Sequence, residues 1–278
     1  MSDATRRAAL AERAARAGGV SARGTFREDL AVETKADKND VVTEADRDAQ
    51  RQVLATVGQE FPDARVVCEE DVPPFGEPDV ELLDAVPATG DAWVVDPIDG
   101  TANYVRGIRF WATSVAALVD GSPVGVATYL PAEQDIYAAG PESVTRNGVT
   151  MAVSDRTDPE TFGVGLLGRW TQRGGPRGAA LFRAASEAFG DVRRFGCMQG
   201  TLALVAAGGL DAAFMPDVPY PWDAIAGVHL VRRAGGVATD LEGEPWADGS
   251  EGLVVSNGTR HEAVLAAVRE GADGEAVD

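Results

Sequence analysis

Trp93-Val94-Val95-Asp96-Pro97-Ile98-Asp99-Gly100-Thr101-Ala102-Asn103-Tyr104 is an apolar run that ends in two carboxylates clamped about a proline. Trp93 to Val95 reads as a short strand. Pro97 fixes its own φ and pushes Asp96 toward an extended conformation, and Gly100 permits the sharp reversal that follows. Both aspartates then stand at one strand end. Two ionised carboxylates held this close repel, so either one keeps a proton or a divalent cation lies between them. Thr101 and the amides after Gly100 can cap a helix and present N–H groups to an anion beside that cation, which predicts phosphate chemistry. The competing reading is a polar turn, since Asp, Pro and Gly are the residues turns use.

Toward the N-terminus, 64–68 reads as a strand that delivers Glu69-Glu70-Asp71 at its end. Such a charge run is either solvated surface or a ligand-bearing strand end, where α/β proteins place their ligands. Residues 33–46 read as a polar loop turning into a helix capped by Thr43, with Val53, Leu54, Val57 and Phe61 at helical spacing. Asp46 is then either a first-turn acid favoured by the helix dipole or a base. An alanine- and arginine-rich helix capped by Ser2 or Asp3 is expected to run to about residue 17, where Gly18-Gly19 stops it. The stretch 73–90, rich in proline, glycine and acids, is expected to be an exposed flap around one short helical segment.

Toward the C-terminus the chain becomes β-rich, with a meander over 112–119, 124–130 and 135–138 and a turn at Arg146-Asn147-Gly148. The lobe boundary is placed there, giving an α+β lobe over 1–148 and an α/β lobe over 149–278. In the second lobe, strands at 163–167, 191–195, 212–215, 236–238 and 253–256 alternate with helices at 179–189, 200–207, 222–234 and 259–269. Thr259 and Glu262 suggest a capping box for the last of these. The segment 168–178 lacks the Gly-Lys-Ser/Thr ending of a nucleotide P-loop and reads as a loop, whose Arg169, Arg173 and Arg177 are candidates for a second anionic group of a substrate. Asp223 opens a helix, as a cap or as a ligand. The predicted fold class is α/β, layered from alternating helices and sheets.

At 278 residues and 45% hydrophobic content the chain can bury a substantial core. No apolar run has the length of a membrane span, and the first residues lack the apolar stretch of a signal peptide, so a cytoplasmic protein is expected. Two cysteines and two histidines leave little for zinc, and any metal is expected to be held by oxygen. A net charge of -19 disfavours nucleic acid and anionic membrane as partners. Acids spread along the chain, with Lys35 and Lys38 the only lysines, suggest a salt-adapted surface, although a GC-rich genome explains the arginine preference equally well.

Four pieces stand in order: Asp-Val-Val-Thr-Glu-Ala-Asp at 40–46, Glu69-Glu70, Trp93 to Tyr104, and Trp222-Asp223 followed by Ala-Gly-Gly at 234–236. Together they resemble the inositol monophosphatase family, within the magnesium-dependent, lithium-sensitive phosphatases that include fructose-1,6-bisphosphatases. The resemblance implies that Glu69, Asp96, the carbonyl of Ile98, Asp99 and Asp223 bind two or three Mg2+ ions. It further implies that Glu69 or Glu70 with Thr101, backed by Asp46, deprotonates the attacking water, that the Gly100 and Thr101 amides hold phosphate, and that Lys35 lies near the metals. Homodimers are common in the family.

The departures lie on the substrate side. Gly196-Cys197-Met198 replaces the usual Gly-Ser/Thr-Ala, and Met215 falls where inositol-specific members carry a glutamate. The expected activity is a Mg-dependent phosphomonoesterase for a small phosphorylated polyol or sugar, inositol 1-phosphate or fructose 1,6-bisphosphate. A 3'-phosphoadenosine 5'-phosphate nucleotidase and a non-catalytic regulator of the same fold are the alternatives.

Overall fold

A computed structural model describes residues 2–28, 32–34, 41–72, 80–168, 175–218 and 220–273. The chain opens with α1 (Asp3–Gly24), the short antiparallel pair β1 (Val32–Thr34) and β2 (Val41–Thr43), and α2 (Glu44–Gly58). It continues through β3 (Arg65–Cys68), β4 (Glu81–Leu82), β5 (Asp91–Asp99), α3 (Thr101–Val105), β6 (Ala112–Val119), β7 (Ser122–Leu130), β8 (Asp135–Ala139), β9 (Val144–Arg146) and β10 (Val149–Thr150). Then come β11 (Gly163–Leu166), α4 (Gly175–Ala188), β12 (Asp191–Arg193), α5 (Met198–Ala206), β13 (Ala212–Met215), α6 (Pro221–Arg233), β14 (Val237–Thr239), β15 (Leu253–Ser256) and α7 (His261–Asp273).

Among the described residues the larger sheet has the order β10-β9-β8-β7-β6-β5-β3-β4, and the smaller one β12-β11-β13-β15-β14. β5 is the hinge of the larger sheet, pairing parallel with β3 and antiparallel with β6. Successive residues of a strand face opposite ways, so a strand buried on both faces must be apolar throughout. Val66, Trp93 and Val95 pack under α1 and α2, whereas Val67 and Val94 join a core shared with α5 and α6. That second core continues into Ala213 and Val255 of the smaller sheet. On the far side of the smaller sheet, Val164, Phe214 and Val254 pack with Leu181 of α4 and Leu265 of α7. The result is five layers: helices, sheet, helices, sheet, helices.

The sequence expectation fails at α1. It continues through Gly18-Gly19 to Gly24, with Ser2 as its cap. A Cβ on Gly18 would lie 2.6 Å from Val53, and one on Gly19 would lie 2.6 Å from the Tyr129 ring. These glycines are there for close packing, which offsets their low helix propensity. The α7 capping box is also absent. The Thr259 hydroxyl is spent on the Arg156 carbonyl at 2.6 Å and lies 2.9 Å from Asn257 Oδ1, and the helix begins at His261. α4 begins at Gly175, inside the stretch read as a loop. In the expected flap the described part, 80–90, carries the two-residue strand β4, and 73–79 lie outside the described residues.

Candidate active site

The central motif is one nine-residue strand, longer than the apolar run alone suggests. Its ladder to β6 is regular as far as Asp96↔Ser114 and resumes at Asp99↔Ala112, with a shift in between. Pro97 has no N–H to give to the ladder, so the strand bulges there and re-aims its side chains. The Thr113 hydroxyl takes up the Pro97 carbonyl at 2.7 Å. Gly100 then turns the chain at φ 89°, in the left-handed region that favours glycine, with room for no side chain between it and the Gly196 carbonyl.

Asp96 is only 2% exposed, and its Oδ1 has no hydrogen-bond partner among the described residues. Burial raises its pKa well above the usual carboxylate range, and the charges of Glu69, Asp99, Asp223 and Asp46 raise it further. Acids from four separate segments therefore act on one buried carboxyl group. Asp46 is pushed up to about 7, first by burial and then by Glu69 and Glu70, against the lowering effect of its bonds to Thr43. The Thr43 amide and hydroxyl donate to Asp46 Oδ2 at 2.8 and 2.7 Å, which completes a capping box on α2. The Thr101 hydroxyl lies 3.1 Å from Asp46 Oδ1 and 3.0 Å from the Ile98 carbonyl, so its single proton serves one of them at a time.

Asp99 faces the start of α5. Its carboxylate accepts from the Met198 amide at 2.9 Å, the Gln199 amide at 2.5 Å and the Cys197 thiol at 3.0 Å. These bonds partly offset the burial that raises its pKa. Cys197, read from the sequence as a substrate contact, is buried with its thiol turned onto Asp99, and burial raises its pKa well above the ordinary thiol value. Gly196 sits at φ 75° against Asn103, whose amide donates to the Phe110 and Phe195 carbonyls. Met215 is buried at the end of β13, with its methyl 2.9 Å from where a Cβ on Gly168 would lie. Lys35 and Arg169 lie outside the described residues.

Two glutamines that sequence reasoning passed over support these acids. Gln50, fully buried on α2, accepts from the Glu70 amide at 2.9 Å and donates to the Glu70 carbonyl at 2.5 Å. Gln199, also fully buried, bonds α6 on either side of Asp223. A long polar side chain on an otherwise apolar helix face was the available signal in each case.

Among the described residues no three acidic, cysteine or histidine side chains converge as tightly as a closed metal shell requires. The donor set still fits magnesium: carboxylates and a carbonyl, all oxygen, with Asp96 Oδ1 unbonded among the described residues. Burial and the mutual repulsion of like charges both raise pKa values in this cluster, and a cation between the acids would offset that cost.

The layered sheets and the acids at the end of β5 define a class of α/β protein with an oxygen-rich centre built on buried carboxylates. The Inositol monophosphatase family profile matches residues 3–272, and the chain belongs to that family, whose members are in general magnesium-dependent phosphatases. The chain is 30% identical over 240 residues to the fructose-1,6-bisphosphatase/inositol-1-monophosphatase of Thermotoga maritima, covering 86% of each. It is 33% identical over 257 residues to a histidinol-phosphatase of Mycobacterium tuberculosis, covering 87% of this chain and 90% of that one. Its fold matches that of the extragenic suppressor protein suhB from Bartonella henselae with a TM-score of 0.84 at 27% identity, over 95% of this chain and 98% of that one.

Proposed function

We propose that this protein hydrolyses the phosphomonoester of a small phosphorylated polyol or sugar, with inositol 1-phosphate or fructose 1,6-bisphosphate as the leading substrate. The observation that carries the reading is the buried Asp96, whose Oδ1 has no partner among the described residues and whose carboxyl is acted on by the charges of Glu69, Asp99, Asp223 and Asp46. Glu69, Asp96, the Ile98 carbonyl, Asp99 and Asp223 would hold two or three magnesium ions. Bound there, the ions would activate water and offset charge on the leaving oxygen.

The rest falls to the chain itself. The Thr101 hydroxyl lies 3.0 Å from the Ile98 carbonyl and 3.1 Å from Asp46 Oδ1, and it can pass its proton to that carboxylate. Glu70 is fixed through its backbone by Gln50 and, with Glu69, is the other proton acceptor. The Gly100 and Thr101 amides, at the start of α3, are assigned to the phosphate oxygens, and Lys35 and Arg169 to the anionic substrate. The acids come from both sides of the boundary at 148, so both lobes are needed. No helix among the described residues is long and apolar enough to cross a membrane. We place the protein in the cytoplasm as a homodimer.

A second reading is favoured by two observations. Met215 offers a thioether where a polyol would need an acceptor, and Tyr220, half exposed, stacks on Trp222 at 4.7 Å just before Asp223. Both suit a flat-ring phosphate, such as histidinol phosphate or 3'-phosphoadenosine 5'-phosphate. Phosphate release from all four compounds, with and without magnesium and with Asp96→Asn as control, separates the readings. Release that is magnesium-dependent and lost in the control supports the active-site assignment, and release that persists in Asp96→Asn overturns it. Binding of magnesium with no turnover of any of the four would favour a non-catalytic regulator.

A further inference from the structure

Gln199 touches both halves of the acid cluster. Its main-chain N–H donates to Asp99 Oδ2 at 2.5 Å, so one carboxylate of β5 is anchored on the first turn of α5. Its side-chain amide reaches the other way. Nε2 donates to the Trp222 carbonyl at 2.6 Å, and Oε1 accepts from the Gly227 amide at 2.7 Å. Trp222 and Gly227 bracket Asp223 in α6. The bracket depends on close helix contact. A Cβ on Gly227 would fall 2.5 Å from Leu202 Cβ and 2.8 Å from Gln199 Oε1, so glycine alone lets α6 come this near. Gln199 is wholly buried, and leaving its amide or its partners unpaired in that interior is costly.

We propose that Gln199 is a positioning residue that fixes the separation of Asp99 and Asp223, and thereby sets the affinity of the cluster for magnesium. The proposal rests on the assignment of those two acids as magnesium ligands. A divalent ion held by carboxylates from two different layers binds well only if the layers hold still. A single rigid side chain that joins the Asp99 anchor to the Asp223 turn provides that. The thiol of Cys197 and the amide of Met198 support Asp99 alone, whereas the Gln199 side chain also reaches α6.

The test is Gln199→Met, which keeps the volume and removes both side-chain bonds, read by calorimetric titration with Mg2+ in the absence of substrate. Gln199→Leu, which likewise removes both side-chain bonds, is the second variant should the first fail to fold. Val205→Ala, buried on the same helix away from these bonds, controls for lost stability. The expected result is a magnesium dissociation constant about 10-fold or more weaker in the Gln199 variants and unchanged in Val205→Ala. Turnover in the variants should recover substantially at saturating magnesium with the substrate KM little altered. Unchanged magnesium affinity in a folded Gln199 variant overturns the proposal, as does an equal weakening in Val205→Ala. Wild-type protein that binds no magnesium, or binds it equally well as Asp223→Asn, overturns the underlying ligand assignment instead.

Discussion

The Thr101 hydroxyl and the Asp46 carboxylate, 55 residues apart in sequence, lie 3.1 Å from each other, and the Thr101 hydroxyl also lies 3.0 Å from the Ile98 carbonyl. In the proposed mechanism a capping residue of α2 and the first residue of α3 form a proton path. Removing either end should slow the chemical step more than it weakens binding. Thr101→Val and Asp46→Asn are each expected to lower kcat by about 10²-fold or more with KM changed only a few-fold. Steady-state kinetics at saturating magnesium measure the split, and a loss confined to KM would remove the two residues from the proton path.

The raised carboxyl pKa values make a prediction for the metal-free protein. Asp46, at about 7, and Asp96 and Asp99, both raised by burial, take up protons at higher pH in the folded state than in the unfolded chain. Their stabilising contribution is present below the unfolded carboxyl pKa of about 4 and is lost as pH rises through the folded values. His229, lowered to about 4 by burial and then by Arg233 and Arg232, acts with the opposite sign, its contribution being lost as pH falls from about 6.5 to about 4. The difference in Tm with and without magnesium cancels His229. That difference should grow from about pH 5 to about pH 8, because the ion displaces protons from its ligands. A gain in Tm independent of pH would contradict the carboxyl assignment.

Gly18 is a packing position. Alanine there would bring a methyl within 2.6 Å of Val53 Cγ2 and 3.1 Å of the Ala49 carbonyl, neither of which is the end of a flexible side chain. Gly18→Ala should therefore destabilise by about 1–3 kcal/mol despite alanine's better helix propensity. Denaturant unfolding measures it. A stabilised variant would mean that α1 can slide on α2 without cost.

The charge of -19 gives a salt prediction. Self-repulsion of a surface this acidic weakens as counterions screen it. Tm and the rate of phosphate release are expected to rise on going from dilute buffer to molar salt. A Tm that falls as salt rises would refute adaptation to salt and leave base composition as the source of the arginine preference.

The sequence was most informative where local chemistry decides structure. Pro97 announces the break in the β5 ladder, Gly100 the reversal after it, and Thr43 with Asp46 the start of α2. Segments 112–119, 212–215 and 253–256 are strands with the bounds their apolar runs suggest. Features that depend on a distant partner could not be read. Gly18-Gly19 has the local form of a helix stop, and only Val53 and Tyr129 on other elements explain why the helix goes on. Thr259 and Glu262 have the spacing of a capping box, but Arg156, 103 residues earlier, takes the hydroxyl. Gln50 and Gln199 carry no motif. Their role shows only when the carbonyls and amides they bond are in place.

The middle helical layer has a consequence for synthesis of the chain. Leu202, Val228 and Val231 share one core with Val67 and Val94 of the larger sheet and with Ala213 and Val255 of the smaller one. Asp99 anchors on α5, and Asp223 rides on α6, so the acids of the two halves meet only when both sheets have closed on that layer. A nascent chain that has exposed Asp96 and Asp99 still lacks the partners that hold Asp99 in place. On the proposed assignment the centre is completed late, after residue 223 has left the ribosome, and a truncated or half-folded product carries the motif without the means to assemble it.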